Sequence, residues 1–197
     1  MNLGLTTSFI IAGMLMLIIA GFNLRLNRHA TDLTLHEMSK SHTESVYEMI
    51  LYDFKKIGYD TYQIGETPVD PIQSIGDHSI TFKAKFDQDP STDPSTITWE
   101  LTTDIPAGSD NPDHRTLERR IAGGDTTSIG IGITRFDLRY FNRDGNETTD
   151  PSAIRSIEVI IETQPREGVS MPGGQTRYPV SQWRKTIVPG NLSMNTE

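Results

Sequence analysis

Five histidines, 26 acidic residues and no cysteine define the side-chain chemistry open to this chain of 197 residues. The absence of cysteine excludes disulfide scaffolds, thiolate zinc sites, iron–sulfur clusters and cysteine nucleophiles. His36-Glu37 opens like the HExxH zinc-protease signature, but Lys40 stands where the second imidazole belongs, so the signature fails at an essential ligand. His29, His36 and His42 follow one another at spacings of seven and six, which puts them on separate turns of a solvated helix face. His78 and His114 lie in turn-rich sequence, and no GxSxG elbow or comparable nucleophile accompanies them.

Oxygen donors gather at Asp144, Asn146, Glu147 and Asp150, a ligand chemistry that calcium takes, though without the EF-hand spacing. Gly123-Gly124 and the run Ser128 to Gly132 lack both the GxxxxGK[ST] pattern and a following helix to hold phosphate, and read as twisted strand. With no nucleophile, metal cluster or cofactor loop in view, the expectation is a protein that is not an enzyme and needs no cofactor. Charge narrows the partners further. Arg25 and Arg28 are the only charges in residues 1–30, so the rest keeps 16 of the 18 basic residues against all 26 acids, a net of −10. Such a surface repels phosphate backbones, and nucleic-acid binding is not expected.

The elements that carry these residues fall into two materials. Met1 to Leu24 holds no charge, and FIIAGMLMLIIAGF from Phe9 to Phe22 is long enough with its flanks to cross a bilayer, so residues 1–24 read as a retained transmembrane helix. Arg25 and Arg28 just after the span weigh, by the positive-inside rule, toward a cytoplasmic flank. Residues 25–58 continue the same helix, with Leu26, Leu33, Val46, Met49, Ile50, Phe54 and Ile57 on its apolar face and Gly58 as its stop.

Residues 59–197 switch to a period of two. Strands are expected over Ser79–Phe86, Thr96–Thr102, Thr116–Ala122, Ser128–Phe141, Ala153–Thr163 and around Trp183–Val188. The three-residue step from Ile133 to Phe136 predicts a bulge, and Asp144-Gly145 predicts a tight turn. Asp87–Ser95, Asp104–His114 and Gln164–Thr176 read as surface loops. Ile80, Phe82, Trp99, Ile131, Phe136, Leu138, Ile157, Val159 and Trp183 are the predicted core. Strands in series without intervening helices make this an α+β chain, a long membrane-anchored helix packed on an antiparallel sheet.

The order of these features resembles the type IV pilin-like proteins, in particular the minor pseudopilin J of type II secretion and the PilW-like minor pilins. The resemblance rests on the apolar helix, on Leu51-Tyr52-Asp53-Phe54-Lys55-Lys56-Ile57-Gly58-Tyr59 at its end, and on Ile80-Thr81-Phe82. It also rests on Ile129 to Tyr140 followed by Asp144-Gly145, and on WRKTIVPGNL from Trp183 to Leu192. It implies a structural subunit of a pilus or secretion apparatus that packs against other pilin-like subunits. Its helix would sit in the inner membrane, with the C-terminal domain in the periplasm or on an exported filament. Gly4-Leu5 is then the prepilin cleavage position, which would make Phe9 the fifth mature residue where the family carries Glu. That Glu is thought to neutralise a neighbour's N-terminal amine inside an apolar core, where an unpaired charge is costly. Phe9 therefore implies a tip or initiating position, with Ala12, Gly13, Ala20 and Gly21 as close-approach points between helices. The alternative is a membrane-tethered β-rich binding domain that joins no filament.

Overall fold

The computed structural model describes residues 3–59, 70–86, 93–171 and 173–193. One helix, α1, runs unbroken from Leu3 to Lys55. At 1.5 Å per residue it is about 80 Å long. Its first half is apolar and bare, long and hydrophobic enough to cross a membrane and nowhere buried by the rest of the chain. The second half is the axis of the folded domain.

Around it curls a seven-stranded antiparallel sheet. Its strands are β1 (Ile72–Ile75), β2 (Ser79–Ala84), β3 (Ser95–Leu101), β4 (Arg115–Ile121), β5 (Thr126–Phe141), β6 (Ser156–Thr163) and β9 (Ser181–Ile187). Each pairs with the next in that order, so the sheet is a meander interrupted only between β6 and β9 by a small hairpin, β7 (Val169–Ser170) and β8 (Thr176–Arg177). Local hairpin links make an antiparallel meander the simplest topology for consecutive strands. The chain is thus α+β. β1 and the β7–β8 hairpin were not anticipated, being short and poor in alternation. Most of the Asp87–Ser95 loop lies outside the described residues.

Alternation places Ile80 and Phe82, Ile97 and Trp99, Phe136 and Leu138, and Ile157, Val159 and Ile161 on the inner face, all buried. Phe54 of α1 meets Phe82 edge to face, with centroids 5.7 Å apart. Two predicted core residues are corrected. Ile131 and Trp183 are only partly buried, because Ile131 lies on the bulged stretch of β5 and Trp183 sits on the edge strand against Tyr47, 3.9 Å between centroids. The bulge itself is present. Ile133 pairs with Thr163 but Arg135 with Glu162, and against β4 the register slips between Arg115 and Leu117. Gly132 supplies the required backbone at φ +79°, and a Cβ there would lie 2.2 Å from the Gln164 carbonyl oxygen.

The packed face of α1 also differs from the apolar face expected. Leu26, Leu33 and Met49 are exposed, and the buried stripe is Ser39, Thr43, Val46, Ile50, Asp53, Phe54 and Ile57. Its N-terminal part is polar because β6 offers a polar partner there. Thr43 donates to the Ser39 carbonyl at 2.7 Å, and its hydroxyl lies 2.6 Å from that of Thr163, which itself reaches the Ser39 carbonyl at 3.1 Å. Beyond Lys55 the chain turns at Gly58 (φ +76°), whose N–H donates to Lys83 O at 3.0 Å. The Asn191 side chain donates to Ile57 O at 3.4 Å, closing the helix end with the C-terminal motif.

Candidate functional site

The residues assigned to cleavage and helix packing all lie on the bare half of α1. Gly4, Leu5, Phe9, Ala12, Gly13, Ala20 and Gly21 are exposed, and a Cβ added at Gly4, Gly13 or Gly21 would meet nothing within 4 Å. At 100° per residue, Phe9, Gly13 and Ala20 fall within about 40° of one another, Ala12 stands roughly 60° or more to one side and Gly21 roughly 80° or more to the other. The five residues therefore do not form one surface. Phe9, Gly13 and Ala20 do, with Gly21 on a different side.

What fastens this helix to the domain is a carboxylate that sequence reasoning did not single out. Asp53 is buried on α1, and Arg119 of β4 grips it through Nε–Oδ2 at 2.6 Å and Nη2–Oδ1 at 3.1 Å. The Trp99 indole N–H donates to the same Oδ2 at 2.9 Å. A forked guanidinium on a carboxylate is the strongest common geometry for such a pair. The signal was present: Asp53 stands three residues from Ile50 and four from Ile57, on the face that packing requires to be apolar.

The Asp104–His114 segment is a largely exposed loop, as expected, but Asn111 and His114 within it are fully buried. His114 Nε2 lies 3.1 Å from the Gln164 carbonyl and Nδ1 2.6 Å from Ser109 Oγ. A carbonyl only accepts, so Nε2 carries the ring hydrogen and Nδ1 accepts from the serine hydroxyl. Asn111 Nδ2 adds a bond to Gln164 Oε1 at 2.7 Å, and Pro106 covers Gly130 so closely that a Cβ there would stand 3.0 Å away. This serine beside a base is a clasp: Ser109 Oγ also accepts the Asn111 N–H at 3.2 Å, and His114 has no exposed surface.

Burial pushes the His114 imidazole below its ordinary 6.5, helped by the Arg166 charge and opposed by the Gln164 bond and Asp113. A depressed histidine means that the unfolded chain binds a proton the folded chain refuses. Stability should therefore fall as pH drops below about 6.5, levelling once the folded value is passed. Denaturant midpoints measured from pH 7.5 down to 5 on the detergent-solubilised chain should show this slope, and the His114→Gln variant should flatten it. Equal slopes would remove His114 from the account.

Two of the four residues grouped for calcium, Glu147 and Asp150, have carboxylate oxygens engaged by neighbours. Glu147 takes both oxygens to Arg139 (3.2 and 2.8 Å), which holds its carboxyl below the usual range. Asp150 caps the 3-10 turn Pro151–Ala153 through the Ser152 N–H and hydroxyl. Asp144 and Asn146 give their N–H groups to the Asn142 side chain, which forms the Asp144-Gly145 turn expected. Among the described residues no three His, Cys, Asp or Glu gather as a metal site.

Among the described residues, two clefts border the helix. One, of about 390 Å³, lies between Leu35, Met38 and Ser39 on α1 and Ile131 and Pro165 opposite, with the buried Ser39 hydroxyl lacking a hydrogen-bond partner. His42 lines it and His36 remains on the exposed face. The other, of about 220 Å³, sits just beyond the apolar span, where Arg25, Arg28, His29 and Asp32 face the β7–β8 hairpin. Their spacing of i, i+3, i+4 and i+7 is one helical stripe. No family model, curated protein or solved structure matches the chain.

Proposed function

We propose that the protein is a pilin-like structural subunit of the minor pseudopilin kind, anchored in the inner membrane by α1 with its sheet domain outside the cytoplasm. It works by helix packing and surface recognition and performs no chemistry. The observation that carries this reading is the division of α1: its C-terminal part locked into the sheet through Asp53, its N-terminal part an uncharged, predominantly apolar run to Leu24 that nothing in the chain covers. A helix that is hydrophobic all round must be covered by lipid or by other helices. Phe9 in place of a carboxylate favours a tip or initiating position, since such a subunit has no preceding amine to neutralise. The second reading, a tethered domain that joins no filament, is favoured by the same absence of a carboxylate.

The stripe on α1 separates the two. Gly13→Leu combined with Ala20→Leu should leave membrane insertion intact, because hydrophobicity rises, yet cut co-isolation with other pilin-like chains roughly tenfold or more, as close helix contacts are lost. Gly21→Leu, on another side, should change it little. Equal recovery in all three gives first place to the tethered domain. Reporter fusions to the C-terminus should be active only outside the cytoplasm, and cytoplasmic activity would end the pilin-like reading.

A further inference from the structure

The cleft at the end of the apolar span holds three guanidiniums from two distant parts of the chain. Arg25 and Arg28 come from α1, directly after Leu24, the last residue of the uncharged run. Arg177 comes from β8, on a hairpin closed by bonds from Met171 N to Gln175 O (2.7 Å) and from Gly174 N to Met171 O (3.2 Å). Among the described residues none of the three guanidiniums has an ion pair or side-chain hydrogen bond, whereas Arg119, Arg120, Arg135, Arg139 and Arg184 on the sheet each pair with a carboxylate. Asp32 is the single acid lining the cleft, and His29 adds a further nitrogen base. In a chain of net charge −8, three arginine side chains converging around one acid make a local positive field in an otherwise acidic protein.

We propose that this cleft binds the phosphate of an anionic phospholipid headgroup in the leaflet from which α1 emerges. A helix spanning to Leu24 puts Arg25 and Arg28 at headgroup depth. Guanidinium matches phosphate bidentately, and Arg177 closes the cleft from the opposite side. Val169 and the 41% exposed Met171 give an apolar wall for the glycerol and first acyl carbons. The inference also accounts for two arginines on a flank proposed to lie outside the cytoplasm: they are held there by lipid phosphate. It rests on α1 lying in a membrane and is independent of filament assembly.

The test uses the full chain, first checked for retention in lipid nanodiscs, then taken into neutral detergent and titrated with phosphatidylglycerol, phosphatidylcholine or inorganic phosphate while native mass spectrometry counts bound lipid. Phosphatidylglycerol should be retained roughly tenfold better than phosphatidylcholine, and inorganic phosphate at equal concentration should not displace it. Arg177→Gln alone should lower retention roughly fivefold, as should Arg25→Gln or Arg28→Gln. Arg177 is exposed and distant in sequence from the span, so its effect distinguishes a built cleft from an ordinary basic flank. Unchanged retention in Arg177→Gln, equal retention of the two lipids, or displacement by free phosphate would each overturn the proposal. A chain not retained in nanodiscs would overturn the anchor and the cleft together.

Discussion

Replacing Asp53 with alanine should cost roughly 3–5 kcal/mol of unfolding free energy, the range seen when one partner of a buried ion pair is removed. The loss has two parts. Arg119, only 18% exposed at its side chain, is left with a charge and no counter-charge, and the indole N–H of the fully buried Trp99 loses its acceptor. Asp53→Asn should cost less, since an amide oxygen still accepts from Trp99. The double variant Asp53→Asn with Arg119→Met should be less destabilised than Asp53→Asn alone, because the stranded guanidinium is gone. Denaturant titration followed by tryptophan fluorescence, to which Trp99 and Trp183 both contribute, measures all three. An Asp53→Ala midpoint within about 1 kcal/mol of the parent would mean that the pair does not pin the helix.

Gly132→Ala is expected to have an effect of similar size for a different reason. The residue sits at φ +79°, and its new Cβ would fall 2.2 Å from the Gln164 carbonyl oxygen, which His114 also uses. Backbone must move on both sides, opening the Gln164 N to Gly132 O bond of 2.8 Å and the clasp together. A loss of roughly 2–4 kcal/mol follows from strain plus disrupted bonds. Gly145→Ala provides the control: the same φ sign, +80°, with open space around it, so about 1–2 kcal/mol from conformation alone. If the two variants lose equal stability, the close approach at Gly132 is not what constrains it.

The elements most legible in the sequence were those governed by a single periodicity. Ile80, Phe82, Ile97 and Trp99 alternate cleanly, and their strands lie where a period of two puts them. The bulge at Ile133 was legible because three residues separated two apolar phases. What stayed hidden depends on partners far along the chain. Ser39 and Thr43 look like solvent-facing helix residues until Thr163 meets them, and His114 looks like a loop histidine until the Gln164 carbonyl covers it. Arg177 carries no local sign that it will stand opposite Arg25 and Arg28, because a two-residue strand has no pattern to read. Asp53 could have been found, as a charge on a face whose neighbours are apolar.

The unbroken helix has a mechanical consequence. No proline and no glycine interrupts it between Gly21 and Lys55, so bending it would require breaking hydrogen bonds rather than rotating about a hinge. Lys55 lies 31 residues beyond Leu24, about 46 Å along the axis. Tilting the rod by about 10° within the ordinary range of membrane helices swings that far end sideways by roughly 8 Å, and a push along the axis arrives undiminished. Because Asp53, Phe54 and Ile57 are bolted to the sheet at that end, the domain travels with it as one body. With α1 in a bilayer, as proposed, force applied there would be delivered as displacement of the sheet domain, in the manner of a lever rather than a tether.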